Sequence, residues 1–188
     1  MKEEIVSLAN HFLIAMPSLG DPNFSRSVTL ICEHSSDGAM GVVINRLTDL
    51  RLRDILAQLE IDASGSEHAD TMVFLGGPVQ NNRGFVLHEP LGSWESTLLV
   101  TETLGVSTSR DILEAIALNR GPEKFLVALG YAGWGAGQLE HEITQNSWLN
   151  SPADHKILFD MPVESRWKAA AQLVGVDLNT LSGEAGHA

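Results

Sequence analysis

Three features of this 188-residue chain carry groups able to do chemistry: a run of small residues, two histidine–glutamate pairs and one cysteine. The run is Gly130-Tyr131-Ala132-Gly133-Trp134-Gly135-Ala136-Gly137-Gln138. It sits between an apolar segment and a helical one, and a helix that opens on small residues offers free backbone N–H groups to an anion. The dinucleotide fingerprint needs glycine at relative positions 0, 2 and 5. Counted from Gly133 the glycines fall at 0, 2 and 4, and Gln138 occupies the deciding position. Counted from Gly130, Ala132 breaks the pattern, and no phosphate-loop Lys-Ser/Thr follows. Two readings stand. The glycines permit close packing around Trp134, or Gly133, Trp134, Gly135, Gly137 and Gln138 form a ligand or partner site anchored by an exposed Trp134.

A second glycine pair lies in Gly76-Gly77-Pro78-Val79, read most simply as a tight turn between strands. A cleft lined by this turn and the later run is the functional alternative, with Arg26, Arg83 and His88 as charge donors for a small anion. Glu33-His34 and His88-Glu89 each end a predicted strand, but the seven histidines show no metal-ligand spacing. Glu140-His141-Glu142 lacks the second histidine of a zinc-protease helix, since Gln145 stands there. Cys32 and His34 share a strand face. A neighbouring imidazolium would make Cys32 a redox-active thiolate, whereas the run Val28–Ile31 would bury it as an inert hydrophobe. No Gly-x-Ser-x-Gly elbow occurs. No catalytic residue, metal or cofactor is assigned. Asp21, Asn23 and Asn45 read as local hydrogen-bonding residues that close loops.

The elements that must position these groups are short. Ser27–Glu33 and Gly41–Asn45 read as a hairpin around Ser36-Asp37-Gly38. Leu52, Ile55, Leu56 and Leu59 form one helical stripe, with Thr48 or Asp49 as its cap. Residues 62–71 read as a surface loop. Met72–Leu75 and Phe85–His88 form a second strand pair, followed by a strand at Thr97–Thr101. Ser109 starts a helix with Ile112, Leu113, Ile116 and Ala117 inward. Phe125–Leu129 is a buried strand, Ala136–Thr144 a helix and Lys156–Phe159 a late strand. Trp167, Ala170, Ala171 and Val174 repeat at helical spacing up to Gly175, and the tail 182–188 reads as frayed. Adjacent strand pairs argue for one α+β domain, 1–181, with a mostly antiparallel, curved sheet.

Several motifs occur together and in order: His11-Phe12-Leu13-Ile14-Ala15-Met16-Pro17, Asp21-Pro22-Asn23-Phe24, Gly38-Ala39-Met40-Gly41-Val42-Val43-Ile44-Asn45, the Gly76 turn and the Gly130 run. From His11 to Val176 the chain resembles the bacterial AlgH-like family. That resemblance implies a compact α+β fold with a partly open, barrel-like sheet flanked by helices. It also implies a link to regulation of alginate production, with no defined activity, and relatives that do not all carry a cysteine at position 32. Leu47 stands where the family often has proline.

Composition narrows the classes further. One cysteine excludes an internal disulfide and fits a reducing cytoplasm. The start of the chain reads as neither a signal peptide nor a membrane span. Twenty-four acids against twelve bases leave a net charge of −12, which repels phosphate backbones. Arg51 and Arg53, with Arg46 nearby, form the one tight basic group and read as a solvated helix face. The expectation is a non-enzymatic cytoplasmic regulator or adaptor acting through a protein partner, without membrane or direct nucleic-acid contact. The alternatives are an enzyme or sensor for a small anionic metabolite or nucleotide, and a Cys32 redox sensor.

Overall fold

The computed structural model describes residues 6–185, with side chains to Leu181. In chain order the elements are β1 (His11–Ala15), β2 (Val28–Ser35), β3 (Gly38–Val43), β4 (Leu47–Arg51), α1 (Leu52–Gln58), β5 (Met72–Leu75) and β6 (Val79–Glu89). They continue as β7 (Thr97–Leu99), β8 (Gly105–Ser107), α2 (Arg110–Ala117), β9 (Lys124–Gly135), α3 (Gln138–Thr144) and β10 (Trp148–Pro152). The chain closes with α4 (His155–Phe159), a 3-10 turn, α5 (Arg166–Gln172) and α6 (Leu178–Ala185). Of the tail expected to be frayed at 182–188, residues 182–185 continue helix α6, and 186–188 fall outside the described residues. The class is α+β, with all strand pairs antiparallel except β5 with β9.

Two compact units share this chain: residues 1–46 with 132–188, and residues 47–131. In the first, the strand order is β10-β1-β2-β3, and β3 pairs with the end of β9 from Ala132 to Gly135. The β2–β3 hairpin is the one the sequence predicts, with a register shift between Ile31 and Glu33. Leu13, Ala15, Ile31, Ala132, Trp134, Leu139 and Trp148 form the core. Helix α5 docks through two polar anchors. The Trp167 indole donates to the Ala15 carbonyl at 2.9 Å, and buried Arg166 donates to the carbonyls of Met161 (2.9 Å) and Ile44 (2.6 Å). Asn45 holds the start of the hairpin, accepting from the Val28 N–H and donating to the Arg26 carbonyl, both at 2.9 Å.

In the second unit the start of β9 lies between β5, parallel, and β6, antiparallel; β8 and β7 continue beyond β6, and β4 beyond β5. Leu52, Ile55 and Leu56 of α1 and Ile112, Leu113 and Ile116 of α2 pack on Val73, Val86 and Val127 of the sheet. Both apolar stripes are those the 3.6-residue period selects.

Four expectations change. Lys156–Phe159 is helical, because Asp154 caps it by accepting from the N–H groups of Lys156 and Ile157 at 2.8 and 3.2 Å. The strand beside β1 is β10 instead. Residues 47–51 form a strand, so the cap of α1 is Arg51, whose N–H is accepted by Asp54 at 2.8 Å, and not Thr48 or Asp49. Met72–Leu75 does not pair with Phe85–His88, since β9 lies between them. The glycine run is not a loop as far as Gly135, because β9 extends through it.

Gly130 is the tightest point of the second unit. Its φ is +77°, and a Cβ there would sit 2.4 Å from the Gly77 carbonyl oxygen and 3.0 Å from Asn81 Cα. A left-handed L-residue costs about 1–2 kcal/mol and overpacking about 1–3 kcal/mol more. Gly130→Ala is therefore expected to destabilise the protein by about 2–5 kcal/mol in chemical denaturation.

Candidate functional site

The close approach at Gly130 shapes the neighbouring strand. Val79 pairs with Tyr131 and Gly84 with Leu129, so one residue of β9 faces the four residues Gln80 to Arg83 of β6. The extra residues are pushed out as a bulge, and Gln80 adopts a φ of +48°. Bulges of this kind re-aim side chains and recur beside functional sites. Here Gln80, Asn82 and Arg83 are aimed into a cleft of about 470 Å³. Its apolar floor is Ile55, Leu59, Leu113 and Leu129, and Gln58, Thr108 and Arg110 complete the rim.

Among the described residues no carboxylate lines this cleft, in a chain with twice as many acids as bases. Its two arginines differ. Arg110 is committed, donating from Nε to Glu114 Oε1 at 2.7 Å and from Nη1 to the Leu59 carbonyl at 2.6 Å. Arg83 rests on neutral groups: Nη2 donates to Thr108 Oγ1 at 3.2 Å, and the guanidinium lies 5.8 Å from the Phe85 ring centre. Among the described residues Arg83 forms no ion pair. Such a guanidinium keeps N–H groups for a carboxylate or phosphate.

The other predicted residues divide between packing and this neighbourhood. Gly77 meets Gly130 and so supports the bulge, and Gly76 donates to the Leu129 carbonyl at 2.8 Å. Pro78 is exposed beside them. Gly133, Trp134, Gly135, Gly137 and Gln138 belong to the other unit. Trp134 is only 6% exposed, which favours the packing reading over a surface anchor. Its indole and that of Trp148 both donate to Glu142 Oε1, at 3.3 and 3.1 Å, and Phe24 completes the aromatic group. Gln138 ties Glu142 Oε2 (2.9 Å) to the Gly135 N–H (3.0 Å), and Gly137 caps the seven-residue α3.

Arg26 stacks over Trp167, and Arg46, Arg51 and Arg53 are spent on loop carbonyls and Asp70. Cys32 is 2% exposed, and burial, aided by Glu33, pushes its thiol up to about 12. That is the inert thiol of the apolar reading. His34 turns elsewhere. Its Nδ1 accepts from the Leu8 N–H at 2.9 Å, so its Nε2–H donates to Glu140. Burial would raise the Glu140 carboxyl, but the His34 bond, the Glu140 backbone N–H and the charge of His34 together outweigh it and lower the group from its ordinary value. Among the described residues no three His, Cys, Asp or Glu side chains are grouped to hold a metal ion.

His88 is fully buried and does not line the cleft. Its Nδ1–H donates to the Pro90 carbonyl at 3.0 Å, which leaves Nε2 to accept from Ser107 Oγ at 2.7 Å. Thr97 Oγ1 lies 2.7 Å from the same hydroxyl. A serine beside a histidine base has the outline of an activated nucleophile. Ser107 is 0% exposed, however, and no substrate atom could reach it. The group is a polar lock between β6, β7 and β8.

Comparison with known proteins identifies the family and the fold. The AlgH-like family profile matches residues 12–179. A UPF0301 protein of Methylococcus capsulatus is 57% identical over 187 residues, covering all of both chains. One from Thioalkalivibrio sulfidiphilus is 59% identical over 182 residues, 97% of each. The chain belongs to the AlgH-like family. The solution structure of the AlgH protein from Pseudomonas aeruginosa matches this AlgH-like chain with a TM-score of 0.80, at 52% identity over the whole of both chains. A Corynebacterium diphtheriae protein at 21% identity shares the fold, with a TM-score of 0.73 over 96% of this chain and 94% of its own.

In this AlgH-like protein the sequence reading missed Gln80, Asn82, Thr108 and Arg110 as a group with Arg83. The available signal was Asn81-Asn82-Arg83-Gly84, a polar insertion between two β-rich runs. The lock makes a separate prediction. Burial lowers the His88 pKa in spite of its bond to Pro90, so the unfolded chain binds a proton here that the folded chain refuses. His88 thus stabilises the fold above the unfolded value of about 6.5, and that contribution is lost as pH falls below it. Unfolding free energy measured from pH 7.5 to 5 should fall more steeply in the wild type than in His88→Gln.

Proposed function

We propose that this AlgH-like protein is a non-catalytic regulatory protein of the cytoplasm that binds a small anionic metabolite in the Arg83 cleft. The observation that carries this reading is Arg83 itself, without a carboxylate partner among the described residues, on a cleft wall free of acids. On a molecule of net charge −12, an acid-free cleft wall bearing a guanidinium favours an anion, and a concave site with an apolar floor and a few convergent polar groups is the usual form of a small-molecule pocket. The regulatory part of the reading rests on the family's link to alginate regulation. Its output is assigned to a protein partner, because the same net charge opposes direct contact with DNA.

Titration of the isotope-labelled protein with inorganic phosphate, followed by backbone amide shifts, tests the binding. Shifts should cluster at Gly84, Thr108 and Arg110 and weaken as sodium chloride is raised. They should be lost in Arg83→Gln, whose own spectrum reports that it is folded. Equal responses in the wild type and the variant would remove the basis for the reading.

A further inference from the structure

We infer that the ligand of the Arg83 cleft is a nucleoside monophosphate, with its phosphate at Arg83 and its base on the apolar floor; this rests on the anion-binding reading above. Three observations select this class. First, the cleft supplies one uncompensated positive charge. The charge of Arg110 is balanced by Glu114 at 2.7 Å, and no lysine or metal-binding carboxylate lines the walls. A single phosphate group, at about −1.5 to −2 charges near neutral pH, already exceeds that supply and is the most it can hold. A di- or triphosphate would add charge that the strongly acidic surroundings repel.

Second, the floor is aliphatic. Ile55 and Leu113 are buried beneath it, and Leu59 and Leu129 are partly open. Inorganic phosphate or a small dicarboxylate would leave this surface wet, whereas a flat heterocycle would cover it.

Third, the rim carries three amides: Gln58, Gln80 and Asn82. The side chains of Gln58 and Asn82 form no hydrogen bonds among the described residues, and Gln80 only meets Arg83 at 3.5 Å. Primary amides carry a donor and an acceptor side by side, which is the arrangement that pairs with a base edge. A hydrocarbon tail on the same floor would desolvate these amides without bonding them. The amides therefore separate a nucleotide from a fatty acid of similar size. The bulge opposite Gly130 puts Gln80, Asn82 and Arg83 on one short segment, so base and phosphate would be read by the same turn of chain.

The test is calorimetric titration of the wild type, Arg83→Gln and Leu59→Ser with AMP, GMP, CMP and UMP, beside inorganic phosphate and octanoate. At least one mononucleotide should bind tenfold or more tightly than phosphate. Arg83→Gln should weaken that nucleotide and phosphate alike by tenfold or more, and the uncharged Leu59→Ser, which shortens the apolar floor, should weaken the nucleotide selectively. Thermal melts confirm that both variants are folded. If phosphate or octanoate binds through Arg83 but no nucleotide exceeds phosphate, the nucleotide assignment is overturned and the anion site stands. If no probe binds the folded wild type, both fall.

Discussion

The second unit depends on one contact, the backbone of Gly130 against the Gly77 carbonyl. No side chain fits there, since the first carbon of any side chain would lie 2.4 Å from that oxygen. Because the strands close this far, β6 must give up its regular register, and four residues stand opposite one. Everything distinctive about the cleft follows from that mismatch. Gln80, Asn82 and Arg83 leave the ladder and reach over the floor that α1 and α2 provide. A flat sheet in regular register would have placed alternate members of this segment on opposite faces.

Electrostatics then give the cleft its character. On this molecule of net charge −12, several cations are consumed by acids or carbonyls, among them Arg46, Arg53, Arg110 and Arg166. Arg83 is held by a hydroxyl, an amide and an aromatic face, none of which cancels its charge. The first unit uses its polar groups in the opposite manner. Glu142 accepts two indole N–H groups and Gln138 closes the set, so the acid and amide near the glycine run are occupied by packing. Gly77 and Gly130 together shape a wall of the cleft, whereas the rest of the later run lets Trp134 sit inside a core.

Much of the architecture was legible in the sequence for a simple physical reason. Helical stripes such as Leu52-Ile55-Leu56 and Ile112-Leu113-Ile116, and the β2–β3 hairpin, are local patterns, and local patterns survive into the fold. The errors lie where non-local pairing decides. Met72–Leu75 looks like the partner of Phe85–His88 along the chain, but β9 arrives from 50 residues later and separates them. Lys156–Phe159 is apolar enough for a strand, and a single side chain, Asp154, decides for a helix. The candidate site was only half visible. Arg83 and Gly77 were singled out, but Arg110 and Thr108 join them through tertiary packing alone, and the burial of Trp134 and His88 cannot be read from their spacing.

The central claim is that the Gly130 bulge presents Arg83 to a small anionic ligand. Native mass spectrometry of the protein, taken gently from bacterial cells and compared with Arg83→Gln prepared in parallel, tests it most directly. The account predicts a non-covalent small-molecule adduct on the wild type that disappears on denaturation and is absent from the variant. A wild-type protein free of any adduct, or the same adduct on both proteins, would contradict it.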